Sequence, residues 1–265
     1  APEGTFSMVH GGTPEVGITL VTHPLIRAAG FTGSLNAGRT LFDAAALRPE
    51  PIPVFAEMGS SNPVFLLPGA LSERGEAIAS AFAASVTLGS GQFCTNPGLA
   101  VLLDAPASSA FLQTLGERLA QAPAGTMVHE GIKAAYDRDF AEATRVPGVS
   151  VAARGAAGGA HPSTEAVAAL LATDSRTYCD NPRLAGEIYG PATLAVRCES
   201  RPELLRFARS LRGHLTATVH GTERDLAEFA ELVAVLRRKV GRLVFNGFPT
   251  GVEVCHAMHH GGPYP

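Results

Sequence analysis

The chain has 265 residues, 46% of them hydrophobic and 17% charged, enough length for a large core and too little charge for a solvated disordered chain. With 21 basic against 24 acidic residues the net charge is −3, so neither nucleic acid nor an anionic membrane meets an attractive field. No apolar run reaches the ~18 residues of a membrane span, and neither lysine, Lys133 or Lys239, closes a phosphate-binding G-x-x-x-x-G-K-[ST] loop.

In chain order, 16–25 is open between a strand and a short helix: its β-branched residues favour the first, its spacing and the closing His23-Pro24 the second. A helix is expected over 36–46, strands over 52–56 and 63–67, and a helix over 72–88 started by Ser72 with Glu76 behind it. Then come a strand at 100–104, helices at 108–121 and 131–143, a strand at 149–153 and the glycine-rich surface loop 155–159. A helix at 164–172, a strand at 192–197, a helix at 201–211 and a strand at 216–220 follow. The last pair is a helix over 222–239, opened by Thr222, and a strand over 241–245. Apolar runs alternating with amphipathic stretches read as an α/β protein with parallel strands.

Four cysteines at 94, 179, 198 and 255, with no C-x-x-C, fit a reduced, cytoplasmic chain. Ala1-Pro2-Glu3-Gly4 has no initiator Met and no signal features, and reads as an internal cut. Gly261–Pro265 likewise stops within a turn-rich stretch.

Three segments hold reactive residues between glycines. Phe31-Thr-Gly-Ser34 precedes a helix, whose N-terminus suits a phosphate, although a plain helix cap has the same signature. Glu57 follows a strand and precedes the turn Met58-Gly59-Ser60, which places a carboxylate at a sheet end or simply in solvent. Cys94 lies in Gly89-Ser-Gly-Gln-Phe-Cys94-Thr-Asn-Pro-Gly98, where substrate and backbone N–H donors can approach closely. A buried structural cysteine is the alternative.

Taken in order with Glu187-Ile-Tyr-Gly-Pro191 and Asn246-Gly-Phe-Pro-Thr-Gly251, these motifs resemble the aldehyde dehydrogenase superfamily, in the look of its 2-oxoglutarate semialdehyde and fatty aldehyde branch. The resemblance implies an α/β fold with Rossmann-type parallel sheets and helices on both faces. It implies NAD or NADP as cofactor, an aldehyde such as 2-oxoglutarate semialdehyde as small-molecule partner, and a homo-oligomeric parent enzyme that binds neither nucleic acid nor membrane. Cys94 would be the nucleophile and Glu57 the general base. Ser34 would contact the pyrophosphate, Met58 and Gly59 the nicotinamide amide, Glu187 the ribose, with Tyr189 near the nicotinamide. Residues 1–57 would be the end of the cofactor domain, 58–248 the catalytic domain and 249–265 a truncated return segment. The family's oxyanion Asn and ribose-binding Lys fall in an earlier half outside this sequence, so the isolated chain is expected to be inactive.

No metal is expected. Cys255-His256-Ala-Met-His259-His260 has ligand residue types without ligand spacing, and Arg237-Arg238-Lys239 with Arg242 reads as a helix end that places cations against its dipole. Cys179 and Cys198 are taken as packing residues. Two other readings stay open: a cysteine hydrolase pairing Cys94 with a histidine, and a catalytically silent, partner-binding relative.

Overall fold

The computed structural model describes residues 2–159, 161–251 and 255–265. The chain folds as two units, Ala1–Gly59 with Pro265, and Ser60–Tyr264. Among the described residues no helix is long and apolar enough to cross a membrane.

The first unit runs α1 (Glu15–Thr22), β1 (Ala29–Gly33), α2 (Leu35–Ala46) and β2 (Val54–Met58). The ambiguous stretch is therefore a helix. It stops at His23, which is extended, because a residue before proline is pushed out of the helical region. Strand β1 was not expected, since its two glycines hide any apolar pattern. It pairs in parallel with β2, Thr32 opposite Glu57 and Gly33 opposite Met58. β2 extends past the expected 52–56, so Glu57 stands within the strand and not after it. The buried Arg48 guanidinium donates to the carbonyls of Val21 and Ile26, both at 3.0 Å, and ties α1 to the start of the β-pair.

The second unit continues with β3 (Pro63–Leu66), α3 (Pro68–Thr87), a tight turn over Leu88–Gly91, β4 (Leu99–Leu103), α4 (Pro106–Gln121), β5 (Gly125–Thr126) and α5 (Glu130–Thr144). Then follow β6 (Ser150–Arg154), β7 (Glu165–Ala166), β8 (Ala169–Asp174), α6 (Ser175–Asp180), a turn at Pro182–Ala185, β9 (Ala192–Cys198), α7 (Arg201–Ser210), β10 (His214–His220), α8 (Glu223–Glu228), α9 (Ala230–Leu236) and β11 (Val240–Phe245). Seven strands form one sheet in the order β11-β10-β3-β4-β9-β8-β6. All its pairs are parallel except the antiparallel edge β6–β8. Helices cover both faces, as buried parallel strands require. Phe65, Val101, Leu194 and Val219 pack on one side with Tyr136, Phe140, Leu204, Phe207 and Leu232. Val64, Leu66, Ala100 and Leu102 pack on the other with Ile78, Phe82, Phe111 and Leu115.

Three expected helices need correction. The segment 164–172 is strand, forming β7 and β8; its alanines favour a helix in isolation, but pairing with β9 and burial on both faces decide otherwise. Helix α3 starts at Pro68, four residues before Ser72, whose hydroxyl merely donates back to the Pro68 carbonyl. The expected helix over 222–239 breaks at Phe229, whose ψ of 27° interrupts it while its ring is buried. The Thr222 start holds, with a complete capping box to Asp225.

Candidate active site

In the first unit, Ser34, Glu57, Met58 and Gly59 gather at the carboxyl end of the β1–β2 pair. Ser34 caps α2, its hydroxyl accepting from the Ala37 N–H at 3.3 Å. Glu57 is half-buried. Met58 is buried against Gly38, where a β-carbon would lie 2.4 Å from its sulfur.

In the second unit, the backbone twists sharply ahead of Cys94. Gly89, Ser90 and Gly91 have φ of +55°, +57° and +68°. Gly91 could carry no side chain: a β-carbon there would sit 2.2 Å from the Gly190 carbonyl carbon. That close approach lays the Cys94 loop on the Glu187–Pro191 segment. Asn96 Nδ2 donates to the Gly190 carbonyl at 3.0 Å, and Tyr189 donates its hydroxyl to the Gln92 carbonyl at 2.9 Å. Burial, with Glu187 and Cys94 nearby, holds the Tyr189 phenol above its ordinary pKa. Glu187 and Tyr189 line a cavity of about 210 Å³ with Ser60, Asn96 and Glu142.

Asn62, which no motif in the sequence singles out, fixes the loop from below. Fully buried at φ +42°, it donates Nδ2 to the carbonyls of Cys94 and Asn96, both at 2.9 Å. Its Oδ1 accepts from Ser60, from the Thr216 hydroxyl and from the Thr216 N–H. The sequence signal was Asn62-Pro63 opening a strand, a dipeptide that marks a turn without naming its distant partners. Such a network orders the backbone on either side of the sulfur.

Cys94 is half-buried, and its Sγ lies 3.4 Å from Nε2 of His260. The tail carrying His260 beds on small residues. The Gly213 N–H donates to the Tyr264 carbonyl at 3.1 Å, and a β-carbon on Gly241 would meet the Gly261 carbonyl oxygen at 1.8 Å. The sequence marks His260 only as a metal-type residue; its place at the thiol follows from the fold of the tail. Cys198 is buried, its thiol pushed up to about 12 chiefly by that burial. Cys179 is exposed, which corrects its reading as a packing residue. Arg242 belongs to β11 and not to a helix end, since α9 closes at Leu236.

A half-buried thiol in an ordered loop beside an imidazole has the setting of a nucleophile. Residues 1–263 match the aldehyde dehydrogenase family. The chain is 45% identical over 264 residues to alpha-ketoglutaric semialdehyde dehydrogenase 2 of Azospirillum brasilense, covering 100% of this chain and 50% of that protein. It is 43% identical over 265 residues to the alpha-ketoglutaric semialdehyde dehydrogenase of Acinetobacter baylyi, with the same coverage. It thus spans half the length of these curated relatives. Its fold is similar to that of glyceraldehyde-3-phosphate dehydrogenase from Methanocaldococcus jannaschii, solved with NADP, at a TM-score of 0.74 and 18% identity, over 95% of this chain and 52% of the other. The chain belongs to the aldehyde dehydrogenase family.

Proposed function

We propose that the whole protein oxidises an aldehyde to a carboxylic acid with NAD or NADP, and that its substrate is a semialdehyde of the 2-oxoglutarate semialdehyde type. The observation that carries this reading is the Cys94 sulfur, held by Asn62 and Gly91 and set 3.4 Å from His260. Identities of 45% and 43% to two semialdehyde dehydrogenases support the substrate class. In this reading 1–57 ends a cofactor domain, 58–248 is the catalytic domain and 249–265 the return segment that brings His260. The whole protein is a cytoplasmic homo-oligomer.

The residues present fit a dinucleotide in part. Ser34 is exposed at the N-terminus of a 12-residue helix after a glycine, where a pyrophosphate is favoured. Glu187 lines an open cavity beside Tyr189, where a carboxylate can accept from ribose hydroxyls, while Met58 and Gly59 offer backbone to the nicotinamide amide. When bound, NAD or NADP supplies the acceptor for the hydride that the thiohemiacetal carbon gives up.

His260 Nε2 takes the Cys94 proton, and the thiolate forms a bond to the aldehyde carbon, moving the carbonyl electron pair onto oxygen. Backbone N–H groups of the Cys94 loop stabilise that oxyanion. After oxidation the thioester carbon is attacked by water. Glu57 takes the water's proton, the carbon–sulfur bond breaks, and Cys94 leaves as thiolate while the acid departs. General-base help of this kind contributes ~10²–10⁴-fold.

The Cys94–His260 contact by itself also suits a cysteine hydrolase. Family membership favours oxidation, and a strict need for NAD or NADP separates the two. In the whole protein, Glu57→Gln should release a burst of reduced cofactor and then stall. Glu187→Gln should give no burst, because hydride transfer itself slows. Identical pre-steady-state traces would contradict the two roles.

A further inference from the structure

Arg242 occupies a half-buried position near the start of β11, opposite Thr216. One guanidinium N–H donates to the Pro249 carbonyl at 2.9 Å. Among the described residues the other guanidinium N–H groups make no hydrogen bond and no carboxylate pairs with the cation. Both chain segments touching Arg242 lead to the thiol. Thr250, next to Pro249, donates to the carbonyl of Thr95 at 3.4 Å, one residue from Cys94. Gly241 beds the tail at Gly261, one residue from the His260 that meets Cys94 Sγ. Burial lowers the Arg242 pKa while attraction to Cys94 opposes that shift, which puts the cation within electrostatic reach of the sulfur.

A partly desolvated guanidinium with donors to spare is costly unless an anion meets it, and its planar fork matches a carboxylate. We infer that Arg242 is the anion anchor of the substrate site, holding the distal carboxylate of a semialdehyde whose aldehyde carbon reaches Cys94. This rests on the reading of Cys94 as nucleophile. It makes Arg242 a specificity residue: neutral aldehydes of equal length lose the anchor, while the chemical steps at sulfur are unchanged.

Anionic and neutral alkylating reagents test the anchor directly. Iodoacetate and iodoacetamide are each given briefly to wild type, Arg242→Gln and Arg242→Lys, and labelling at Cys94 is read from peptide masses. Arg242→Gln should lower the iodoacetate-to-iodoacetamide rate ratio at Cys94 by about threefold to tenfold, with Arg242→Lys in between. The ratio at exposed Cys179 should not move. Added salt should shrink the wild-type ratio and leave the Gln variant's nearly constant. A purely structural role would change both reagents alike, so an unchanged ratio overturns the anchor. If iodoacetamide fails to single out Cys94 in wild type, the nucleophile reading falls and the anchor with it. Should Arg242→Gln not fold, wild-type protection decides: glutarate slows iodoacetamide labelling of Cys94 and neutral glutaramide does not. Equal effects of the two compounds would overturn the proposal.

Discussion

Each unit owes its internal stability to different physics. The first has two short paired strands and few buried apolar side chains, among them Val21, Ala45 and Met58, and its main tie is polar, from Arg48 to two carbonyls. Phe6, Leu25, Leu47 and Phe55 are exposed there. The second has seven strands with a filled core on each face. Two strands are rarely stable alone, whereas a sheet buried on both faces is. The thiol is therefore built on the rigid unit, and the carboxylate Glu57 and Ser34 on the lean one.

This contrast is broken most strongly by acid. His214 and His220 are buried in β10, and burial lowers each pKa from 6.5 to about 4. The unfolded chain takes up protons below about pH 6.5, and the folded second unit does so only near pH 4. Their contribution is complete above pH 6.5 and is lost as pH falls toward 4, about 3 kcal/mol for each histidine. Denaturant melts across that range should show the loss, and His220→Gln should flatten part of it. A stability independent of pH between 6.5 and 4 would contradict this.

Next in size is the core itself. Phe82 is fully buried and packs edge-on against Phe111 and Phe248. Phe82→Ala should cost about 3–5 kcal/mol in equilibrium unfolding. The smallest effect belongs to the first unit. Phe55 is 72% exposed, so Phe55→Ser should shift stability by no more than about 0.5 kcal/mol while reducing self-association by light scattering. A loss matching that of Phe82→Ala would erase the contrast.

The legible parts of the sequence were those whose structure is local. β3 and β4 are continuous apolar runs, and β9, β10 and β11 are rich in apolar and β-branched residues; the motifs around Cys94 and Glu187 lie where the structure brings them together. What escaped depended on distant partners. The start of α3 has no side-chain cap of its own; the N–H groups of Gly69 and Ala70 donate to the Asp225 carboxylate, 156 and 155 residues away. Strand β8 has helix-forming alanines and is decided by β9. The Cys94–His260 contact joins residues 166 apart, and only the folded tail reveals it.

The central claim is that position, not exposure, makes Cys94 the nucleophile, and brief iodoacetamide labelling of the native chain tests it most directly. Exposure alone ranks Cys179 and Cys255 ahead of the half-buried Cys94, with buried Cys198 last. The account predicts that Cys94 labels first, because its sulfur sits in an ordered loop 3.4 Å from the His260 imidazole, which can accept its proton. Equal labelling of all four thiols in the folded protein, or Cys179 and Cys255 outpacing Cys94, would contradict it.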